Sequence, residues 1–221
     1  MSGLFITGTG TDVGKTVVAA LLTLGLDGCY WKPVQAGTEP TTDTELVRSW
    51  TGLPAERFPP EAYRLRTPCS PHRAAALEGL EIDLATIVPP PHRRPWDKPL
   101  IVEGAGGALV PLNGKALMAD LMLQLGFPVI VVASGALGTI NHSLLTLEAL
   151  QRRGLNVAGV IMSAGVQFEN DEAVARYGGV PVLARIPPLA AWNPEAFRAA
   201  FQAAFNLPAI GALTAAMASQ D

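Results

Sequence analysis

Charge is scarce in this 221-residue chain: Asp, Glu, Lys and Arg make up 16% of it, and the formal balance is −3. A basic surplus gathered on one face marks nucleic-acid binders, and nothing here suggests one, so no nucleic-acid partner is expected. Cysteine is nearly missing. Cys29 and Cys69 show no metal-ligand or redox spacing, and no disulfide is expected in a reducing compartment. Cys29 follows Gly28 at the head of an apolar strand and reads as packing, whereas Cys69 lies in the loop Thr67-Pro68-Cys69-Ser70-Pro71-His72. No apolar run reaches the roughly 20 residues of a membrane span. The start, Met1-Ser2-Gly3, enters a strand without the basic segment, apolar stretch and cleavage site of a signal peptide. These absences lead us to expect a cytoplasmic protein with no membrane contact. Hydrophobic residues reach 49%, which argues against disorder, and the length suits one α/β domain over 1–221.

The most informative segment is Leu4-Phe5-Ile6-Thr7-Gly8-Thr9-Gly10-Thr11-Asp12-Val13-Gly14-Lys15-Thr16. It is a short apolar strand running into a glycine loop that ends in Gly-Lys-Thr at a helix start. Loop and helix N–H groups, with the helix dipole, suit a phosphate chain. Lys15 can reach the β- and γ-phosphates and the Thr16 hydroxyl can ligate Mg²⁺. The spacing departs from the usual phosphate loop: five residues separate Gly8 from Gly14, and three separate Gly10 from Gly14. A ligand-free glycine turn is the alternative reading.

Further along, strand and helix patterns alternate. A helix over 14–26 carries Val17, Val18, Ala20, Leu21, Leu22 and Leu24, apolar nearly all round, and is therefore expected to be buried. Strands are expected over 29–32, 63–65, 99–103, 128–133, 157–162 and 180–186. Helices are expected over 41–50, 70–80, 116–125 and 139–153, and again from Asn193-Pro194-Glu195, where Phe197, Phe201 and Phe205 form one stripe that reads as core. Pro89-Pro90-Pro91 and Pro95 read as a stiff surface connection, and the alanine-rich tail 207–221 fits a closing helix or a frayed end. The implied fold class is α/β: a mostly parallel sheet with helices on both faces, whose ligands gather at the carboxyl ends of the strands.

Several chemical groups stand at those ends. One strand is followed by Lys32-Pro33-Val34-Gln35, another ends at Glu103-Gly104-Ala105-Gly106-Gly107, and Asp43 follows in an early helix. Lysines neutralise phosphate charge, and Thr16, Asp43 and Glu103 offer hard oxygens for Mg²⁺. Lys32 also admits an ordinary surface role, and Asp43 that of a helix cap. Glu103 ends an apolar strand and so needs a partner.

The motifs GTGTDVGKT (8–16), KPVQAG (32–37), the Asp43 helix, SPH (70–72), VEGAGG (102–107) and LGTINHSLLTLEAL (137–150) together resemble the dethiobiotin synthetases. The resemblance covers most of the chain to about Gly159. It implies a P-loop NTPase-like, seven-stranded parallel sheet in a homodimeric ligase. Such a ligase uses ATP, Mg²⁺ and CO₂ to close a cyclic urea across the two amines of 7,8-diaminopelargonate. It further implies that Asp12, Val13, Gly14, Lys15, Thr16 and Val17 hold the nucleotide phosphates, and that Thr16, Asp43 and Glu103 hold the metal. Lys32 and Lys15 become the catalytic lysines, and Glu103, Gly104, Ala105 and Gly106 touch both nucleotide and substrate. Ser163, Pro187, Pro188 and Leu189 fall at the base.

On the substrate side the resemblance places Lys32, Ala36, Ser70 and Pro71, together with Gly138, Thr139 and Asn141 at a helix N-terminus reaching across the dimer. It leaves His142 structural or a hydrogen-bond donor, His72 a shaping residue of the substrate loop, and His92 solvated. Two positions depart from the family pattern. Ala36 stands where Ser or Thr is common, with Gln35 or Thr38 as substitutes for the missing hydroxyl. Ser163-Ala164 stand where some members have Asn-Asp, so tolerance of nucleotides besides ATP is expected. The rival reading is a nucleotide-switched dimer ATPase of the partition or assembly type. Many of those carry an extra lysine early in the loop, where this chain has Thr9, Gly10, Thr11 and Asp12.

Overall fold

Uninterrupted apolar strands need cover on both faces, and the computed structural model, which describes residues 2–91, 98–163 and 170–218, provides it. The elements in chain order are β1 (Gly3–Gly8), α1 (Lys15–Gly25), β2 (Cys29–Trp31), β3 (Val34–Ala36), α2 (Asp43–Thr51), β4 (Tyr63–Leu65), α3 (Pro71–Leu77) and β5 (Leu100–Glu103). They continue as α4 (Met118–Leu125), β6 (Val129–Ser134), α5 (Thr139–Gln151), β7 (Val157–Ser163), α6 (Asn170–Gly178), β8 (Val182–Ile186), α7 (Pro194–Ala204) and α8 (Leu207–Ala218). Six strands form one parallel sheet in the order β2-β5-β1-β6-β7-β8.

Side chains alternate across this sheet, as a period of two requires. Leu4, Ile6, Tyr30, Ile101, Ile130, Val132 and Ile161 face one layer, packed against α1, α7 and α8. Phe5, Trp31, Val102, Val131, Ala133, Val160 and Met162 face the other, with residues of α3, α4, α5 and α6. Helix α1 is buried from Val18 to Leu24, as its apolar circumference demands. The phenylalanine stripe of α7 is core: Phe197, Phe201 and Phe205 are all buried.

The sheet differs from the seven strands implied by the resemblance: six belong to it, and β3 and β4 form a separate parallel pair. Pro33 supplies the reason. Proline has no N–H to extend a ladder, so the strand stops at Trp31, and the Pro33 carbonyl instead accepts from the Ala62 and Tyr63 N–H groups. Helix α6 has no counterpart in the sequence reading. The tail resolves as α8, whose Ala209, Leu213 and Met217 recur every four residues and are buried. His92, Pro95 and Ala164 lie outside the described residues. Among the described residues no single helix is long and apolar enough to cross a membrane.

Helix α2 opens with a capping box. The Glu45 N–H donates to Thr42 Oγ1 at 3.2 Å, and Glu45 Oε2 accepts from the Thr42 N–H at 2.8 Å. This box makes Asp43 the first helical residue and fixes its direction. The Thr42 N–H and the Arg64 guanidinium lower the pKa of Glu45 to about 2. A carboxylate with a lowered folded pKa adds stability above its unfolded pKa and loses it as acid protonates it. Glu45→Gln is therefore expected to be less stable than wild type above about pH 4.5, with the gap closing toward about pH 2. Urea unfolding across this pH series measures it, and a constant gap would contradict the assignment.

Candidate active site

The strand order decides which loops meet. β2, β5 and β1 are neighbours, so Lys32 after β2, Glu103 at the end of β5 and the glycine loop after β1 emerge side by side. The chain runs from β5 on one side of β1 to β6 on the other, which opens a crevice at the carboxyl end of β1. Helix α2 adds Asp43 from above.

These groups form one network. Lys32 Nζ lies 2.7 Å from Asp43 Oδ2 and 2.9 Å from Glu103 Oε1, and donates to the Gly104 carbonyl at 3.3 Å. The Tyr30 hydroxyl donates to Glu103 Oε2 at 2.9 Å. Thr16 Oγ1 stands 2.9 Å from Glu103 Oε1 and 3.1 Å from Asp43 Oδ1. A hydroxyl has a single proton, so one of those two contacts brings oxygen against oxygen with no hydrogen between. Such a surplus of hard acceptor oxygens is what a small divalent cation satisfies, and Mg²⁺ needs few protein ligands because water and phosphate supply the rest. The residues present thus fit Mg²⁺. Among the described residues no cluster of three His, Cys, Asp or Glu side chains offers a second kind of metal site.

Burial is severe. Lys32 keeps 4% of its side-chain surface and Glu103 1%. Desolvation opposes the charge on Lys32, but the Glu103 and Asp43 carboxylates outweigh it, and its pKa is raised. Desolvation likewise opposes the charge on Asp43, and Lys32 reverses it, leaving Asp43 below the ordinary carboxylate range. Lys15 is lowered, with burial the largest cause and Glu103 acting against it. Tyr30, fully buried beside Glu103, is pushed well above the usual phenol value and stays protonated.

The glycine loop is shaped for an anion. Gly14 caps α1 at φ 93° with no side-chain cap, so the first-turn N–H groups lack intrahelical acceptors. Lys15 folds back and donates to the Gly10 carbonyl at 2.7 Å. A methyl group on Gly14 would stand 2.1 Å from Ser163 Oγ, so Ser163, buried at the end of β7, packs beneath the loop. The surrounding cleft holds about 670 Å³ and is lined by Thr11, Asp12, Gly14 to Val17, Lys32, Gln35, Ala36, Asp43, Leu46, Trp50, Pro68 to Pro71, Glu103, Ala105, Gly106 and Val110.

Most expected site residues converge there. Val13 packs into the α1 layer, and Gly104 binds the Ile6 carbonyl through its N–H at 2.9 Å. Pro187 and Pro188 are exposed after β8, and Leu189 packs against the α1 layer. Gly138, Thr139 and Asn141 stand apart from the cleft, at the start of α5. His72 and His142 are exposed. Gln35 lines the cleft beside Ala36, and its amide donates to the Gly37 carbonyl at 2.8 Å and accepts from the Asp43 N–H at 3.2 Å. The sequence reading missed Tyr30 as the partner of Glu103 and Trp50 as a cleft wall. Tyr30 gives a signal in hindsight, since a buried phenol needs an acceptor.

A family model described as an AAA domain matches residues 2–196. The chain is 50% identical over 203 residues to the ATP-dependent dethiobiotin synthetase BioD of Rhizorhabdus wittichii, covering 92% of this chain and 95% of that one. It is 48% identical to the protein of the same name from Agrobacterium fabrum, covering 91% and 93%. The fold is similar to the cell division ATPase MinD of Pyrococcus furiosus, with a TM-score of 0.51, 14% identity, and 91% and 98% of the two chains covered. Identity near one half over more than nine-tenths of the chain places it in the ATP-dependent dethiobiotin synthetase family.

Proposed function

We propose that the chain, acting as one domain over 1–221, forms dethiobiotin in biotin synthesis. It closes a cyclic urea from CO₂ and the two amines of 7,8-diaminopelargonate while ATP becomes ADP and phosphate. The observation that carries this reading is the Lys32–Glu103–Asp43–Thr16 network, set between a phosphate loop and the 68–71 loop in one cleft. One substrate amine takes up CO₂ and loses a proton to give a carbamate. The carbamate oxygen attacks the γ-phosphorus, and the bond to ADP breaks. The second amine then attacks the carbonyl carbon and loses a proton, and the C–O bond to phosphate breaks, releasing phosphate.

The chain's part in this is positioning and charge. The open N–H groups of α1 and Lys15 hold the phosphate chain. Thr16, Asp43 and Glu103 would hold Mg²⁺, which would draw off negative charge from the phosphates. All three N–H bonds of Lys32 are occupied in the network, so the ammonium meets substrate by exchanging one acceptor for a carbamate or phosphoryl oxygen. Ala36, Ser70 and Pro71 shape the diamine end. Gly138, Thr139 and Asn141 would serve the partner subunit of a homodimer. In support, α5 has no side-chain cap, Thr139 Oγ1 is buried without a partner, and the adjoining Leu137 is fully exposed. The cellular site that fits this role is the cytoplasm.

The direct test is phosphate release with Mg·ATP and bicarbonate, with and without the diamine, and the mass of the product. Diamine-dependent release with the cyclic urea formed is the expected result; release indifferent to the diamine would overturn the reading. Lys32→Ala is expected to cut turnover at least about a hundredfold, and it leaves the buried Glu103 carboxylate without its cation, which costs roughly 3–5 kcal/mol. Lys32→Arg keeps the charge but misplaces it, and is expected to hold the fold while still losing turnover. Wild-type turnover in either folded variant would remove Lys32 from the reaction.

A further inference from the structure

The cleft has two unlike ends. One is charged, with Lys32 and Glu103. The other is apolar, where Val17, Leu46 and Trp50 line it. Asp43, Leu46 and Trp50 share one face of α2, and the eight residues from Asp43 to Trp50 span about 10 Å along the helix axis. Trp50 thus stands about 10 Å along α2 from Asp43, whose carboxylate contacts Thr16 at the end of the phosphate loop.

Trp50 is one member of an aromatic stack. Its ring lies 4.7 Å from that of Trp192 and 5.6 Å from that of Phe197, the latter nearly parallel at 22°. Phe197 is fully buried and anchors the stack in the core, while Trp192 at the outer end is 54% exposed. Trp192 lies on the segment between β8 and α7, close after Leu189, which packs in the same apolar layer as Val13, Val17 and Trp50. An exposed indole held by a rigid backing offers a π-face, and every nucleobase can stack on one. The hydrogen-bonding alternative is thin at the loop's other flank. Ser163 Oγ is buried under Gly14 and has no paired donor and acceptor to read a purine edge.

We infer that the Trp50–Trp192 pair is the stacking wall for the nucleobase of the triphosphate, with Trp192 its exposed half. The inference rests on the nucleotide-site reading above. It makes binding depend on the presence of a base and little on which base, because stacking recognises a ring and not its edge.

The test compares ATP, GTP, CTP and inorganic tripolyphosphate by calorimetric titration of wild type, Trp192→Ala and Trp192→Phe. Trp192→Ala is expected to weaken all three nucleotides about tenfold and to leave tripolyphosphate unchanged. Trp192→Phe is expected to restore most of the loss, and nucleotides but not tripolyphosphate should quench wild-type tryptophan emission. Unaltered nucleotide affinity in Trp192→Ala, or an equal loss for tripolyphosphate, would overturn the stacking wall while leaving the phosphate loop in place. A wild type that binds neither nucleotides nor tripolyphosphate would overturn the nucleotide-site reading, and the wall with it.

Discussion

A buried ammonium between two carboxylates organises this protein. Lys32 and Glu103 have almost no contact with solvent, and neither could keep its charge there alone. Asp43, Thr16 and Tyr30 complete the network around them. Its members come from four elements, so it can form only when β2, β5, α1 and α2 are all in place. The folding of the sheet edge and the assembly of the site are therefore one event. The two lysines and two carboxylates, Lys15 and Lys32 against Asp43 and Glu103, balance in charge. An entering polyphosphate then brings a negative charge that this chain does not offset by itself, which is why the hard oxygens around Thr16 matter.

The parallel sheet explains how residues so far apart in sequence meet. Strands that all run one way end on one edge, and the order β2-β5-β1 sets three of those ends next to one another. The alternation of apolar residues fills both layers without disturbing that edge. The capping box of α2 supplies the fourth direction, since it sets Asp43 at the start of a helix leaning over the crevice. Gln35, bonded to the Asp43 N–H, holds the same residue from the strand side.

Much of this was legible in the chain. The Gly-Lys-Thr loop, the β-branched strands and the apolar circumference of α1 each carry a local signal, and each element stands where that signal put it. Lys32, Asp43 and Glu103 were legible as strand-end or helix-start charges, and their convergence follows from topology. What was not legible depends on distant partners. Pro33 ends β2 and starts a second small sheet because its carbonyl meets Ala62 and Tyr63, which no local pattern announces. Nor does any local pattern announce that the Gln35 amide binds the Gly37 carbonyl and the Asp43 N–H. Helix α6 has low apolar content of its own and buries Val174 because other elements cover it. Trp50 read as the end of a short helix, and its place on a cleft wall appears only when α2 and α7 pack together.

We propose that the oxygens of Thr16, Asp43 and Glu103 form a cation site joined to the phosphate loop. Calorimetric titration of ATP with Mg²⁺ and with a chelator, in wild type and in Asp43→Asn, addresses it most directly. Mg²⁺ is expected to tighten ATP binding in wild type and to lose most of that effect in Asp43→Asn, while metal-free ATP still binds both. An equal Mg²⁺ effect in the two proteins would contradict it.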